Sequence, residues 1–226
     1  MAKKSKRYQG AKEKVDVSKD YSVSEAINVL KSVPGASFDE TVELAVLLGI
    51  NPKNSDQQIR TSIGLPHGTG KSVRVAVFAE GDDAVAAEEA GADIVGSDDL
   101  VEKVSDGWLE FDVAIATPPM MRKIGALGRF LGPRGLMPNP KNGTLTPDVS
   151  SAVEEFKAGK VEVRNDSGAN VHLPVGKLSF PTDHLEENVR AVIQSLQGMR
   201  PPGIGHNFFK KVFVTTTMGP SVQLSV

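Results

Sequence analysis

The chain has 226 residues, with 26 Lys plus Arg against 28 Asp plus Glu, four His and no Cys. That length fits one large or two ordinary domains, and the lack of cysteine excludes disulfides, thiolate metal sites and a cysteine nucleophile. A formal net charge of −2 argues, taken alone, against a strong nucleic-acid binder, because meeting phosphate calls for excess positive charge.

Residues 1–14 carry Lys3, Lys4, Lys6, Arg7, Lys12 and Lys14 against Glu13 alone, a local +5 that reads as a disordered basic arm, of a kind that also binds nucleic acid. This polar opening is no secretory leader, and the longest largely apolar run, Leu44 to Ile50, falls far short of the roughly 20 residues of a membrane span. Ser22 and Glu25 are spaced as a capping box. With the apolar stripe Val23, Ala26, Ile27, Leu30, Val33 and the stop Pro34-Gly35, they predict a helix over 22–33. FDETVELAVLL (38–48) alternates with period two and predicts a half-buried strand. Phe38, Val42, Leu44, Val46 and Leu48 take one side, with Asp39, Thr41 and Glu43 on the other. A short strand near Ile59 to Leu65 ends at Pro66-His67-Gly68-Thr69-Gly70.

From Ser72 the rhythm changes to strand–helix alternation. VRVAVFAE, DIVG and FDVAIATP read as strands, and DDAVAAEEAGA and SDDLVEKVSDG as helices ending at Gly91 and Gly107. Thr117-Pro118 starts a helix with Met121, Ile124, Leu127 and Leu131 at helical spacing. Thr146-Pro147 starts another, carrying Val149, Val153 and Phe156 to Gly159. This pattern predicts a three-layer, Rossmann-like α/β domain with a largely parallel sheet. Beyond Gly159 the alternating runs VEVRND and NVHLPVG flank Ser167-Gly168 as a hairpin. Asp183 and Glu186 then cap a helix bearing Leu185, Val189, Val192, Ile193 and Leu196. KKVFVTTT and SVQLSV supply two last strands, joined through Met218-Gly219-Pro220.

The first 65 residues alone offer too little for a core, and the last 67 supply the missing pieces. The economical solution is an α+β domain built from 1–65 plus 160–226, with an α/β domain, 66–159, inserted between its halves. The crossings near 66–71 and 158–160 contain Gly68, Gly70 and Gly159, which suits a hinge. Charge divides along the same boundaries: 1–65 and 160–226 sum to +4, and 66–159 to −6. Within the insert, residues 80–112 sum to −11, which reads as solvated helix faces, and residues 113–145 carry +5 with no acid.

HGTGKS (67–72) misses the phosphate-loop spacing, because Leu65 stands where glycine is required. A strand also follows it, where a phosphate loop opens a helix. The rival reading, a small α/β nucleotide-binding protein or enzyme using the central domain, rests on this stretch alone. His67, His172, His184 and His206 are scattered, so no metal site is expected, and no nucleophile with its base stands out. GALGRFLGPRGLMPNPKNG (125–143) packs five glycines and three prolines around Arg129, Arg134 and Lys141. It is either a rigid connector or an anion contact. In the end-built domain, Phe38, Glu40 and Thr41 begin a strand, Arg164, Asp166 and His172 edge the hairpin, and Thr215 and Thr217 share a strand face leading to Met218-Gly219. Hydroxyls, a glycine backbone and an arginine suit sugar and phosphate contacts; a threonine-rich strand with good β-propensity is the competing reading. At 5% aromatic content, recognition by folded RNA shape is favoured over base stacking.

LPHGTGK (65–71), EEAGAD (88–93), GRFLGPRGLMPNPKNGT (128–144), FKAGKVEVRND (156–166), HLPVGKLSF (172–180) and VTTTMGPSV (214–222) together resemble the bacterial large-subunit ribosomal protein L-one family, in family order and across essentially the whole chain. The resemblance implies a cytoplasmic, non-enzymatic protein without cofactor, monomeric off the ribosome. Its discontinuous domain binds 23S rRNA at the base of a mobile stalk that meets deacylated tRNA leaving the exit site. It also implies repression of the chain's own operon mRNA through a similar RNA structure. The RNA contacts map onto Phe38, Glu40, Thr41, Arg164, Asp166, His172, Thr215, Thr217, Met218 and Gly219. Members are expected to be clearly basic, so the pI of about 6.1 is a departure, and the charge division places it in the insert.

Overall fold

The protein was analysed as a computed structural model that describes residues 5–16, 19–205 and 207–225, so Lys3, Lys4 and His206 lie outside the described residues. In the described part of the expected disordered arm, the chain forms a helix, α1 (Lys6–Glu13), whose N-cap Ser5 accepts from the Tyr8 amide at 3.3 Å. Ala11 and Val15 are buried, so the charge of this segment masks an apolar stripe at helical spacing. In α2 (Val23–Ser32) both halves of the capping box form, Glu25 N to Ser22 Oγ at 3.3 Å and Ser22 N to Glu25 Oε2 at 3.1 Å. The first strand, β1 (Thr41–Leu48), buries Val42, Leu44, Val46 and Leu48. Phe38 departs from expectation: the chain joins the sheet only at Thr41, and Phe38 stays exposed. A short strand, β2 (Arg60–Gly64), follows.

Next come β3 (Val75–Phe78), α3 (Asp82–Glu89), β4 (Ile94–Gly96), α4 (Asp98–Ser105) and β5 (Val113–Ala116), with the strands parallel in the order β4-β3-β5. β3 is buried on both faces, as a central parallel strand must be. Val75 and Val77 pack with Ala87, Ile115, Val149, Val153 and Phe156, while Ala76 and Phe78 pack with Leu100, Val104, Ile124 and Leu131. The single helix expected after Thr117-Pro118 is broken into α5 (Met121–Ile124) and α6 (Gly128–Leu131), with tight turns before and between them. Gly125 and Gly128 stand at the breaks, and Met120 rather than Met121 is fully buried. In α7 (Val149–Ala158) the N-cap is Asp148, not Thr146: its carboxylate accepts from the Ser151 amide at 3.2 Å. Gly159 closes that helix in the left-handed region at φ 110°.

The rest of the chain supplies β6 (Lys160–Arg164), β7 (Asn170–Lys177), α8 (Thr182–Gly198), β8 (Phe209–Thr216) and β9 (Val222–Gln223). A four-stranded antiparallel sheet runs β7-β1-β8-β9, and α2 and α8 cover one of its faces through Ile27, Leu30, Leu185, Val189, Val192 and Leu196. The expected hairpin across Ser167-Gly168 is confined to its tip, an antiparallel Asn165–Val171 bridge and the Asp166 amide on the Asn170 carbonyl at 2.8 Å; beyond it β6 pairs with β2 in a separate two-stranded sheet, and β7 with β1. The turn survives because Asp166 gathers the Gly168 and Asn170 amides at 2.8 and 2.7 Å. Asp183 and Glu186 do not cap α8, which starts behind Pro181. Glu186 instead accepts from Ser24 Oγ at 2.7 Å.

Two compact units result, Met1–Gly70 with Val161–Val226, and Lys71–Lys160. Residues 66–70 stay with the first unit, five beyond the expected boundary, because Asn188 of α8 accepts from the His67 amide at 3.1 Å and donates to the Gly68 carbonyl at 3.0 Å. No helix among the described residues is long and apolar enough to cross a membrane.

Candidate nucleic-acid interface

Among the described residues no helix packs on the second face of the four-stranded sheet. Glu43, His172 and Lys211 are exposed on it, and Thr41, Ala45, Leu47, Phe213 and Thr215 are half-buried. At one end of β1 the segment 38–41 meets the turn 217–219. The Thr41 amide donates to Thr217 Oγ1 at 3.0 Å, and the Thr217 hydroxyl and amide donate to the Thr41 carbonyl at 3.3 and 3.0 Å. Lys177 Nζ donates to Thr41 Oγ1 at 2.9 Å. Thr215 turns its hydroxyl toward the carbonyls of Thr216 and Pro220, at 3.2 and 3.4 Å. Phe38 and Met218 are 53% and 50% exposed, leaving two apolar side chains half in water beside these polar groups.

Glu40, expected among the contacts, is only 1% exposed, and its carboxylate accepts from the Ala36 amide at 2.6 Å and the Met218 amide at 2.9 Å. Burial works against its ionisation. The amides of Met218 and Ala36, the Thr216 hydroxyl and Arg7 outweigh that, and hold the carboxyl below the ordinary glutamate range. Gly219 is required beside it, because a Cβ there would lie 2.2 Å from Thr216 Oγ1.

The other expected contacts are not gathered at this end. Thr41 lies opposite Lys177 and Leu47 opposite Asn170, so the 166–170 turn stands about 20 Å away along β1. His172 falls between them, opposite Ala45. At the far end Arg60, Arg164, Asp166 and Ser167 line a shallow cleft of about 300 Å³. The Asn170 amide and side chain, with the Gly168 amide, hold the Asp166 carboxyl below its usual range.

In the inserted unit, Lys71, Arg74, Lys123, Lys157 and Lys160 pair with carboxylates. Among the described residues Arg122, Arg129, Arg134 and Lys141 do not, and Phe130 beside Arg129 is 37% exposed. The stretch 67–72 does not form a phosphate loop: β3 follows it, and Lys71 Nζ is bonded to Asp112 at 2.6 Å. The His67 ring stacks on His184 at 3.8 Å and bonds Glu187, and no group of three or more metal-ligating side chains forms among the described residues.

Sequence reasoning missed Arg7 and Lys177. Arg7 donates to the carbonyls of Pro34 and Met218 at 3.0 and 2.9 Å, and its signal was the Tyr8, Ala11, Val15 spacing that marks α1. Lys177 has no local signal, since only the β1–β7 register brings it to Thr41.

Residues 30–220 match the family model described as the ribosomal protein L1p/L10e family. The chain is 53% identical to the large ribosomal subunit protein uL1 of Kosmotoga olearia over 224 residues, 99% of this chain and 97% of the relative. It is 55% identical to the protein of the same name from Thermosipho africanus over 225 residues, 99% and 97% of the two chains. For that of Thermosipho melanesiensis the identity is 52% over 226 residues, 100% and 97% of the two chains.

Proposed function

The chain belongs to the ribosomal protein L1p/L10e family, and from that membership we propose that it is a structural, non-enzymatic protein of the large ribosomal subunit, at work in the cytoplasm. It binds 23S rRNA at the base of the mobile stalk through Phe38, Thr41, Thr215, Thr217, Met218 and Gly219. The observation that carries the reading is identity of 53% and 55%, along 99% of the chain, to proteins named for the large subunit. The geometry supports RNA as the ligand. Hydroxyls, a glycine turn, two half-exposed apolar side chains and the cation Lys177 suit the sugar edge and phosphates of a folded RNA.

Arg164, Asp166 and His172 extend the contact along the open sheet face, and Arg129, Arg134 and Lys141 give the inserted unit a secondary anion contact. Glu40 serves from beneath, by holding Met218. The inserted unit turns about Gly70 and Gly159 with the stalk, easing deacylated tRNA out of the exit site, while Gly68 is fastened to α8. The same surface represses the chain's own operon mRNA, and the protein is a monomer off the ribosome.

Filter binding to a 23S stalk fragment, with a scrambled hairpin as control, tests the site; equal affinity for both RNAs overturns it. Co-sedimentation with large subunits at moderate salt tests the ribosomal role.

A further inference from the structure

Both backbone groups of Met218 are held by charged side chains from distant parts of the chain. Its amide donates to Glu40 Oε2 at 2.9 Å, and its carbonyl accepts from Arg7 Nη2 at 2.9 Å across 211 residues of sequence. The second arm of each side chain ends on one segment: Glu40 Oε1 takes the Ala36 amide and Arg7 Nη1 gives to the Pro34 carbonyl. Arg7 and Glu40 thus form two struts from the 34–36 segment to Met218, one through a guanidinium and one through a buried carboxylate. The helix that carries Arg7 is itself anchored, by Ala11 and Val15 in the core and by Lys14 Nζ on the Ser32 carbonyl at 3.1 Å.

We propose that Arg7 is a positioning residue of the RNA interface, fixing the Met218-Gly219 turn through α1 in the conformation that meets RNA. A planar guanidinium reaches two carbonyls at once; the point charge of a lysine does not reproduce that fork. The competing role is a phosphate contact of a basic arm, in which charge alone matters and lysine substitutes well. The inference rests on the RNA-binding reading above.

Affinity of the full chain for the 23S stalk fragment is measured across a salt series for wild type, Arg7→Lys and Arg7→Ala, with amide exchange recorded on each free protein. Positioning predicts that both variants bind roughly tenfold or more weakly with the salt slope unchanged. It also predicts faster exchange at Met218 and Gly219 with protection kept at Leu44 and Val46 in β1. Wild-type affinity in Arg7→Lys, or a slope reduced by about one in Arg7→Ala, assigns Arg7 to phosphate and overturns the inference. Protection lost throughout β1 assigns it to global stability and overturns it equally. Failure of the wild-type protein to bind the fragment sinks the RNA reading and this inference with it; wild-type binding with an unaffected Arg7→Lys sinks this inference alone.

Discussion

Glu40→Gln conserves volume and removes one charge. The carboxylate accepts from the Ala36 amide at 2.6 Å on one oxygen and the Met218 amide at 2.9 Å on the other. A carboxamide offers a single acceptor, so whichever way it turns, its NH2 faces one of these amides and a buried N–H loses its partner. Such a loss costs about 1–3 kcal/mol, and the surviving bond no longer has a charged acceptor. We expect a destabilisation of about 2 kcal/mol, concentrated where the 36–41 segment meets the 216–219 turn. Denaturant unfolding reads the total, and amide exchange at Ala36 and Met218 reads its location. The pH dependence follows from linkage: the folded carboxyl sits below the ordinary value of 4.5, so its stabilisation is complete above that value and is withdrawn as pH falls through the lower, folded one. The gap between wild type and variant is therefore widest at neutral pH and narrows as pH falls below the ordinary value of 4.5. A variant as stable as wild type at pH 7, or a gap that stays flat down to pH 3, refutes the reasoning.

Thr217→Val removes the hydroxyl that accepts from the Thr41 amide at 3.0 Å, and lowers stability by about 1 kcal/mol together with affinity for the stalk fragment; an unchanged unfolding midpoint counts against it. Gly219→Ala places a Cβ 2.2 Å from Thr216 Oγ1, so either that hydroxyl or the turn must shift, and filter binding should weaken while near-wild-type affinity contradicts the packing. Asp166→Ala releases the Gly168 and Asn170 amides, read as faster exchange at both with the far end of β1 unaffected; unaltered exchange removes Asp166 as the organiser of the turn.

What was legible in the sequence was local and periodic. The Ser22–Glu25 box and the Val42 to Leu48 alternation each lie within one element, and the structure forms both as spaced. Pairing was not legible. Ser167-Gly168 promised a hairpin, but beyond the Asn165–Val171 bridge partners distant in sequence capture the two arms, β2 taking β6 and β1 taking β7. Glu40 shows the same boundary within the site. The alternation puts it in phase with buried Val42 and Leu44, its chemistry argues for water, and the deciding amide, on Met218, is 178 residues away. Phe38 shares that phase and is exposed, because the strand begins only at Thr41. Residue types thus pointed to the interface, while the cations beside it, Arg7 and Lys177, arrived through docking and register.

The strand order has a consequence for how the chain is made. β1 sits between β7 and β8, so both its neighbours are synthesised after the whole of residues 71–160, which form their own unit as one continuous run. While that run emerges and folds, β1 has two open edges, a state that invites wrong pairings. The 217–219 turn reaches the 38–41 segment late, since Met218 lies 170 residues beyond the end of β1. A chain that stops before β8 leaves β1 with one edge open and the Thr41 amide without its Thr217 acceptor.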